Sequence, residues 1–204
     1  MMIREWLIGV ALASASAAAA ASPPSYDFIE LDYVGVNRHD PTYDFQGGSG
    51  QLSARVQQYL FLEGSYQFLQ SDTFTQGLAK GRLQEQTIAG GLGGRIPLAR
   101  NLLDLTVAAD YIHVSLRQRD GFEGVFPDQN GSGVQGKLGL RINLPYFEAI
   151  PGVRYTHIFG ENEWAFGAQL LGCPGYGVCL TGSYEYLKES KDSRFTGGFR
   201  FYYD

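Results

Sequence analysis

Apolar and polar residues alternate with a period of two along most of this chain, and polar, Pro or Gly segments break the alternation again and again. Residues 131–144, GSGVQGKLGLRINL, show it most plainly. One face carries Val134, Gly136, Leu138, Leu140, Ile142 and Leu144, and the other Gln135, Lys137, Gly139, Arg141 and Asn143. The same reading marks ten strands, near 26–36, 45–56, 59–70, 83–96, 102–116, 131–144, 146–159, 164–173, 178–188 and 194–203. One set of connections is tight: VQQY at 56–59, PLARN at 97–101, LPY at 144–146 and CPGYG at 173–177. The other set, at 37–44, 70–82, 117–130, 160–163 and 188–193, is mostly longer and polar. The second strand has an apolar face made mainly of Gly, and the eighth is short. If either fails, an eight-stranded barrel is the fallback. No segment carries a 3.6-residue period, and no domain boundary interrupts the rhythm.

Such alternation fits either a sandwich with the apolar face inward or a closed barrel with that face outward. Short turns at one end with longer loops at the other follow the pattern of bacterial outer-membrane barrels. Closure leaves no strand edge unpaired in lipid, and about 9–11 residues cross a bilayer at the usual tilt. The expected fold is therefore all-β: a transmembrane antiparallel up-and-down β-barrel of about ten strands. Its short turns and both termini would face the periplasm and its longer loops the exterior.

The two faces then have different tasks. Tyr33, Tyr66, Tyr111, Tyr155 and Tyr184 all fall on the apolar parity near the loop end of strands running outward, where an aromatic girdle belongs. GSYQFLQ at 64–70 and GSYEYLK at 182–188 are two instances, with Tyr66, Phe68, Tyr184 and Tyr186 toward lipid and Gln67 and Glu185 toward the lumen. On the lumenal parity, outward-running strands supply mainly acids: Glu30, Asp32, Glu63, Asp104, Asp110, Glu148 and Glu185. Returning strands supply mainly bases: Arg55, Arg95, Lys137, Arg141, Arg194 and Arg200, while Glu85 and Arg154 break the rule. Opposite charges on neighbouring strands face each other across the ladder. The expectation is a polar, salt-bridged interior that is plugged or very narrow.

Composition agrees with β structure: the 204 residues include 27 Gly, 13 Tyr and 13 Phe. A formal charge of -5 without a run of Lys or Arg argues against a nucleic-acid partner. Mean hydropathy of -0.16 looks soluble, as it would for a chain with one polar face. Residues 1–21 read as a cleaved export signal, with Arg4, the apolar WLIGVALASA and Ala19–Ala21 before Ser22. Residues 22–204 form the barrel domain, and no later run of about 18 apolar residues offers a membrane helix.

The C-terminal TGGFRFYYD contains Thr196-x-Gly198-x-x-Phe201-x-Tyr203. With the leader and the hairpin rhythm, this resembles the small outer-membrane β-barrel proteins, OmpA/OmpX-like and porin-like. The resemblance implies that Thr196, Gly198, Phe201 and Tyr203 form an insertion signal read by the barrel-assembly machinery, although this chain closes on Asp204. It also implies a Gram-negative outer membrane, with membrane lipid and lipopolysaccharide as surroundings.

Cys173 and Cys179 flank the PGYGV turn on one parity, close enough for a disulfide in an oxidising compartment, with two buried thiols as the alternative. His39 beside Asp40 is a candidate rim base, while His113 and His157, in YIHV and YTHI, point outward at the interface. Neither of these two belongs to a Ser–His–acid arrangement. AGGLGGR at 89–95 lacks the helix a phosphate loop requires. The loop DGFEGVFPDQNG exposes Phe122, Val125 and Phe126, which either anchor a ligand or pack on the mouth. No metal or cofactor is called for. The reading is a monomeric, non-enzymatic envelope-structural or surface-interaction protein. A narrow channel for ions or small solutes is the alternative, and a rim enzyme using His39 the third.

Overall fold

Period-two alternation becomes strand wherever the sequence carries it. A computed structural model of the chain describes residues 25–39, 44–76, 79–99, 102–119, 128–174 and 177–203. The leader, Asp40 and the loop residues Phe122, Val125 and Phe126 lie outside the described residues. The strands are β1 (Phe28–Asn37), β2 (Phe45–Gln57), β3 (Leu60–Ser71), β4 (Phe74–Gln76), β5 (Ala79–Ala99), β6 (Leu103–Arg119), β7 (Gln129–Asn143), β8 (Phe147–Ile158), β9 (Glu161–Gly172), β10 (Val178–Leu187) and β11 (Ser193–Tyr202). All except the three-residue β4 join an antiparallel up-and-down barrel of ten strands. β3 pairs directly with β5, and β1 closes the ring on β11. No helix occurs among the described residues.

The usual burial order is inverted. Leu170 is 61% exposed on the outer wall, whereas Arg141 is 2% exposed inside. Ile29, Leu31, Leu62, Ile88, Leu92, Leu138 and Leu180 join Leu170 in an exposed apolar belt. In water that much bare apolar surface would drive association; it is the surface a hydrocarbon solvent requires. One inward patch is apolar instead: Val34, Phe45, Leu69 and Leu83 pack together near the loop end, with Val36 and Leu116 against them.

Three details depart from the sequence reading. The eighth barrel strand, β9, is not short, because 160–163 is not a longer loop. Phe159 and Gly160, at φ 56° and 79°, make a two-residue turn between β8 and β9. Two positive-φ residues give the twist that a tight hairpin needs. β5 and β6 extend to 21 and 17 residues, well beyond the expected bounds. The glycines on the outer face of β2 also have a partner: the ladder sets Gly48 opposite Tyr33 and Gly50 opposite Tyr66. Placing a ring beside a glycine lets the aromatic cover what the glycine leaves bare.

Gly198 sits on the seam where β11 meets β1, opposite Asp32. A Cβ there would run into the Leu31 carbonyl, backbone that cannot yield without parting the strands. Gly198→Ala is expected to cost about 1–3 kcal/mol. The measurement is the fraction of refolded protein that migrates in the compact form on an unboiled gel, which should fall.

Candidate functional site

The lumen holds a polar space large enough for a ligand. Its cavity of about 850 Å³ reaches Glu161, Glu189 and Asp192 at the loop end and stops on Tyr26, Phe28, Phe61, Arg141 and Arg200 at the end bearing the chain termini. That floor is built by residues 25–27, which precede β1 and fold into the barrel, together with inward residues of eight strands. Tyr26 is 4% exposed, stacks on Phe61 at 5.0 Å and lies under the Arg141 guanidinium at 4.7 Å. Its hydroxyl donates to Asp104 Oδ2 at 3.0 Å, and Arg95 reaches the same oxygen at 3.5 Å.

Arg141 is the hub. Its Nε donates to Glu148 Oε2 at 2.8 Å, Nη1 to the Ser25 carbonyl at 2.7 Å and Nη2 to the Tyr202 hydroxyl at 2.9 Å. Tyr202 donates onward to Glu148 Oε1 at 2.9 Å. Arg200 Nε donates to Glu30 Oε2 at 2.6 Å, and Gln169 bridges the pair, accepting from Arg200 and donating to Glu30. The Arg200 guanidinium also lies 3.9 Å from the Phe28 ring centroid. Charges taken out of water are tolerable when each is paired and its remaining donors are satisfied, as they are here.

Above the floor the pairing continues more loosely. Lys137 Nζ lies 2.7 Å from both Glu63 Oε1 and Asp110 Oδ2. Arg154 pairs with Glu185 at 2.8 Å, Arg194 donates to Gln67, and Asp32 accepts from Thr181 at 2.6 Å. Arg55 stands at the rim, bonded to Asp27 at 2.9 Å and largely exposed. The expected pairing of neighbouring strands holds for Glu30 and Arg200, which are direct ladder partners. It holds as well for Arg95 with Asp104, Lys137 with Asp110 and Arg141 with Glu148, but not for every pair. Lys137 reaches across the lumen from β7 to Glu63 on β3, and Arg154 reaches past β9 to β10. Side chains this long span a narrow barrel, so register alone does not choose the partner.

At the loop end, carboxylates brace the 188–192 turn. Glu163 accepts from the amides of Glu189 and Ser190, and Glu189 accepts from the Trp164 amide at 2.7 Å. That amide holds the Glu189 carboxyl below its ordinary range. His39 contributes its backbone N–H to Asp192, while His113 and His157 face outward beside Ser132 and Asn162. AGGLGGR runs within β5.

On the outer wall, Tyr33, Tyr66, Tyr111 and Tyr184 are exposed, and Tyr155 packs on Trp164 at 4.8 Å. A second exposed set, Tyr59, Tyr146 and Phe147, stands at the terminal end. The sequence reading missed it, although these residues lie in or beside the tight turns. It missed Tyr26, Gln169 and Tyr202 too. Tyr26 and Phe28 share the parity of Glu30, so an aromatic among lumenal charges was the available signal. In the terminal strand, Thr196 meets the Ser183 hydroxyl at 2.7 Å, Phe201 faces outward, and the Tyr203 hydroxyl donates to the Ser53 carbonyl. Cys173 and Cys179 are joined by a disulfide across the β9–β10 turn. Closing so short a loop contributes about 2–3 kcal/mol in the chain-entropy account. Cys173→Ser with Cys179→Ser should lower the urea midpoint of unfolding accordingly.

The family model for the outer membrane protein beta-barrel domain matches residues 6–169. Among solved structures, the outer membrane protein OprG from Pseudomonas aeruginosa aligns with a TM-score of 0.51 at 13% identity, covering 90% of this chain and 99% of that one. The beta domain of the Bordetella autotransporter Brka gives 0.51 at 13% identity, over 86% and 98%. The translocator domain of the autotransporter NalP from Neisseria meningitidis gives 0.50 at 12%, over 97% and 96%. At these identities the likeness is one of fold. Comparison with curated proteins returned no match.

Proposed function

Because this chain belongs to the outer membrane protein beta-barrel domain family and so resides in the bacterial outer membrane, we propose that it acts there as a non-enzymatic envelope-structural or surface-interaction protein with a plugged lumen. The carrying observation is the floor. Arg141, Glu148, Arg200, Glu30 and Asp104 are each no more than 6% exposed, and Tyr26 fills the space between them. A solute entering at the loop end would meet, below a cavity of about 850 Å³, these buried ion pairs and the Tyr26 ring. Opening a way through would mean parting those pairs.

The terminal end faces the periplasm and the braced turns face the exterior. The protein acts as a monomer, its ten barrel strands pairing with one another in a closed ring. Its partners are outer-membrane lipid, lipopolysaccharide and, during insertion, the barrel-assembly machinery reading Thr196, Gly198, Phe201 and Tyr203; nucleic acid is not among them. The non-enzymatic reading draws on His113 and His157, whose rings face outward on the wall and bond to Ser132 and Asn162. Liposome swelling tests the reading. Vesicles bearing the refolded barrel should swell in small sugars no faster than protein-free vesicles, and faster swelling would establish the narrow channel instead.

A further inference from the structure

The outer wall is nearly free of charge, and its exceptions are all of one sign. Among the described strand side chains that face outward, only Arg82 on β5 and Arg117 on β6 carry a full charge, and both are exposed. Among the described strand residues, no outward position carries a carboxylate. The ladder places Arg117 opposite Gln84 and Arg82 opposite Arg119, so the two exposed guanidiniums are diagonal neighbours. Sequence inspection shows no basic run here; the hairpin assembles one from two segments.

Like charges across a ladder cost stability unless something neutralises them. Among the described residues neither Arg82 nor Arg117 forms an ion pair, in contrast to the lumenal cations Arg141, Arg154, Arg200 and Lys137. Arg82 commits only Nε, to Thr73 Oγ1 at 3.0 Å. Height identifies what could neutralise them. Arg117 stands six residues beyond the girdle residue Tyr111 on the same face, a rise of roughly 15 Å along the barrel axis at ordinary strand pitch and tilt. That is above the acyl chains, at the level of a lipid's sugar headgroup.

We propose that Arg82 and Arg117 form, on the outer wall of β5 and β6, a docking site for a phosphate on the inner saccharide of lipopolysaccharide. The guanidinium fork matches phosphate geometry, and paired forks outbind scattered lysines. The site rests on the outer-membrane reading above and adds to it a place and a ligand group.

The test uses the full refolded chain in phosphatidylcholine vesicles. It is titrated with lipopolysaccharide bearing a phosphorylated inner core, with the same material after dephosphorylation, and with lipid A alone. Arg82→Gln with Arg117→Gln should weaken binding of the phosphorylated form about ten-fold or more. Dephosphorylated material should bind wild type and variant alike. Equal affinity of wild type and variant for the phosphorylated form would overturn the site, and so would undiminished wild-type binding after dephosphorylation. Wild-type binding of lipid A as tight as that of the full inner core would overturn its placement at the saccharide. Gel migration before and after boiling reports the barrel separately. A variant that migrates as folded and binds like wild type sinks the site alone, and a wild type lacking the compact form would sink the barrel.

Discussion

Replacing Arg141 by leucine should lower the free energy of unfolding by about 3–5 kcal/mol, measured by urea titration of the barrel in a bilayer. The size of the loss comes from what is left behind. Glu148, 6% exposed, would be left in a nearly dry site with only the Tyr202 hydroxyl to bond it, and the Ser25 carbonyl would lose its donor. Arg141→Leu with Glu148→Leu should recover half of the loss or more, because a matched apolar pair leaves no unpaired charge. If the single variant costs less than about 1 kcal/mol, the floor does not have the structural weight given to it here.

The second large effect concerns permeation. Tyr26, Phe28 and Phe61 fill the floor between the ion pairs, with Tyr26 stacked on Phe61 and Phe28 beneath Arg200. Alanine at all three positions removes the rings while leaving every ladder hydrogen bond in place. The variant should still migrate as a folded barrel, because closure depends on the strands, and it should pass steady ionic current where wild type passes none. Loss of the compact gel form would mean that the rings hold the barrel together as well as closing it.

Most of the architecture was legible because a barrel wall has only two environments and strand geometry alternates between them at every residue. The alternation in 131–144 alone fixes which side of β7 faces outward, and the same parity places Tyr111, Asp110 and their counterparts. The Gly-rich β2 looked doubtful because a strand read alone shows no reason for Gly48 and Gly50. The reason lies on the neighbouring strands, in Tyr33 and Tyr66. The Phe159–Gly160 turn was read as the end of a strand followed by a connection at 160–163, because phenylalanine at positive φ is not a usual turn residue. Partner choice inside the lumen was the least legible. Parity puts Lys137 on the inner face, but only the barrel's diameter brings it to Glu63 on β3. The floor was hidden for a related reason: the parity Tyr26 and Phe28 share with Glu30 turns them inward, but does not show that they meet Arg141 and Arg200 there.

Closure of the lumen by this floor is the central claim, and planar-bilayer recording of the wild-type protein tests it most directly. Refolded barrel whose insertion has been verified by gel migration should leave the membrane at baseline conductance over minutes at moderate voltage. Steady ohmic steps of uniform size from the wild-type chain would contradict it and make the protein a channel.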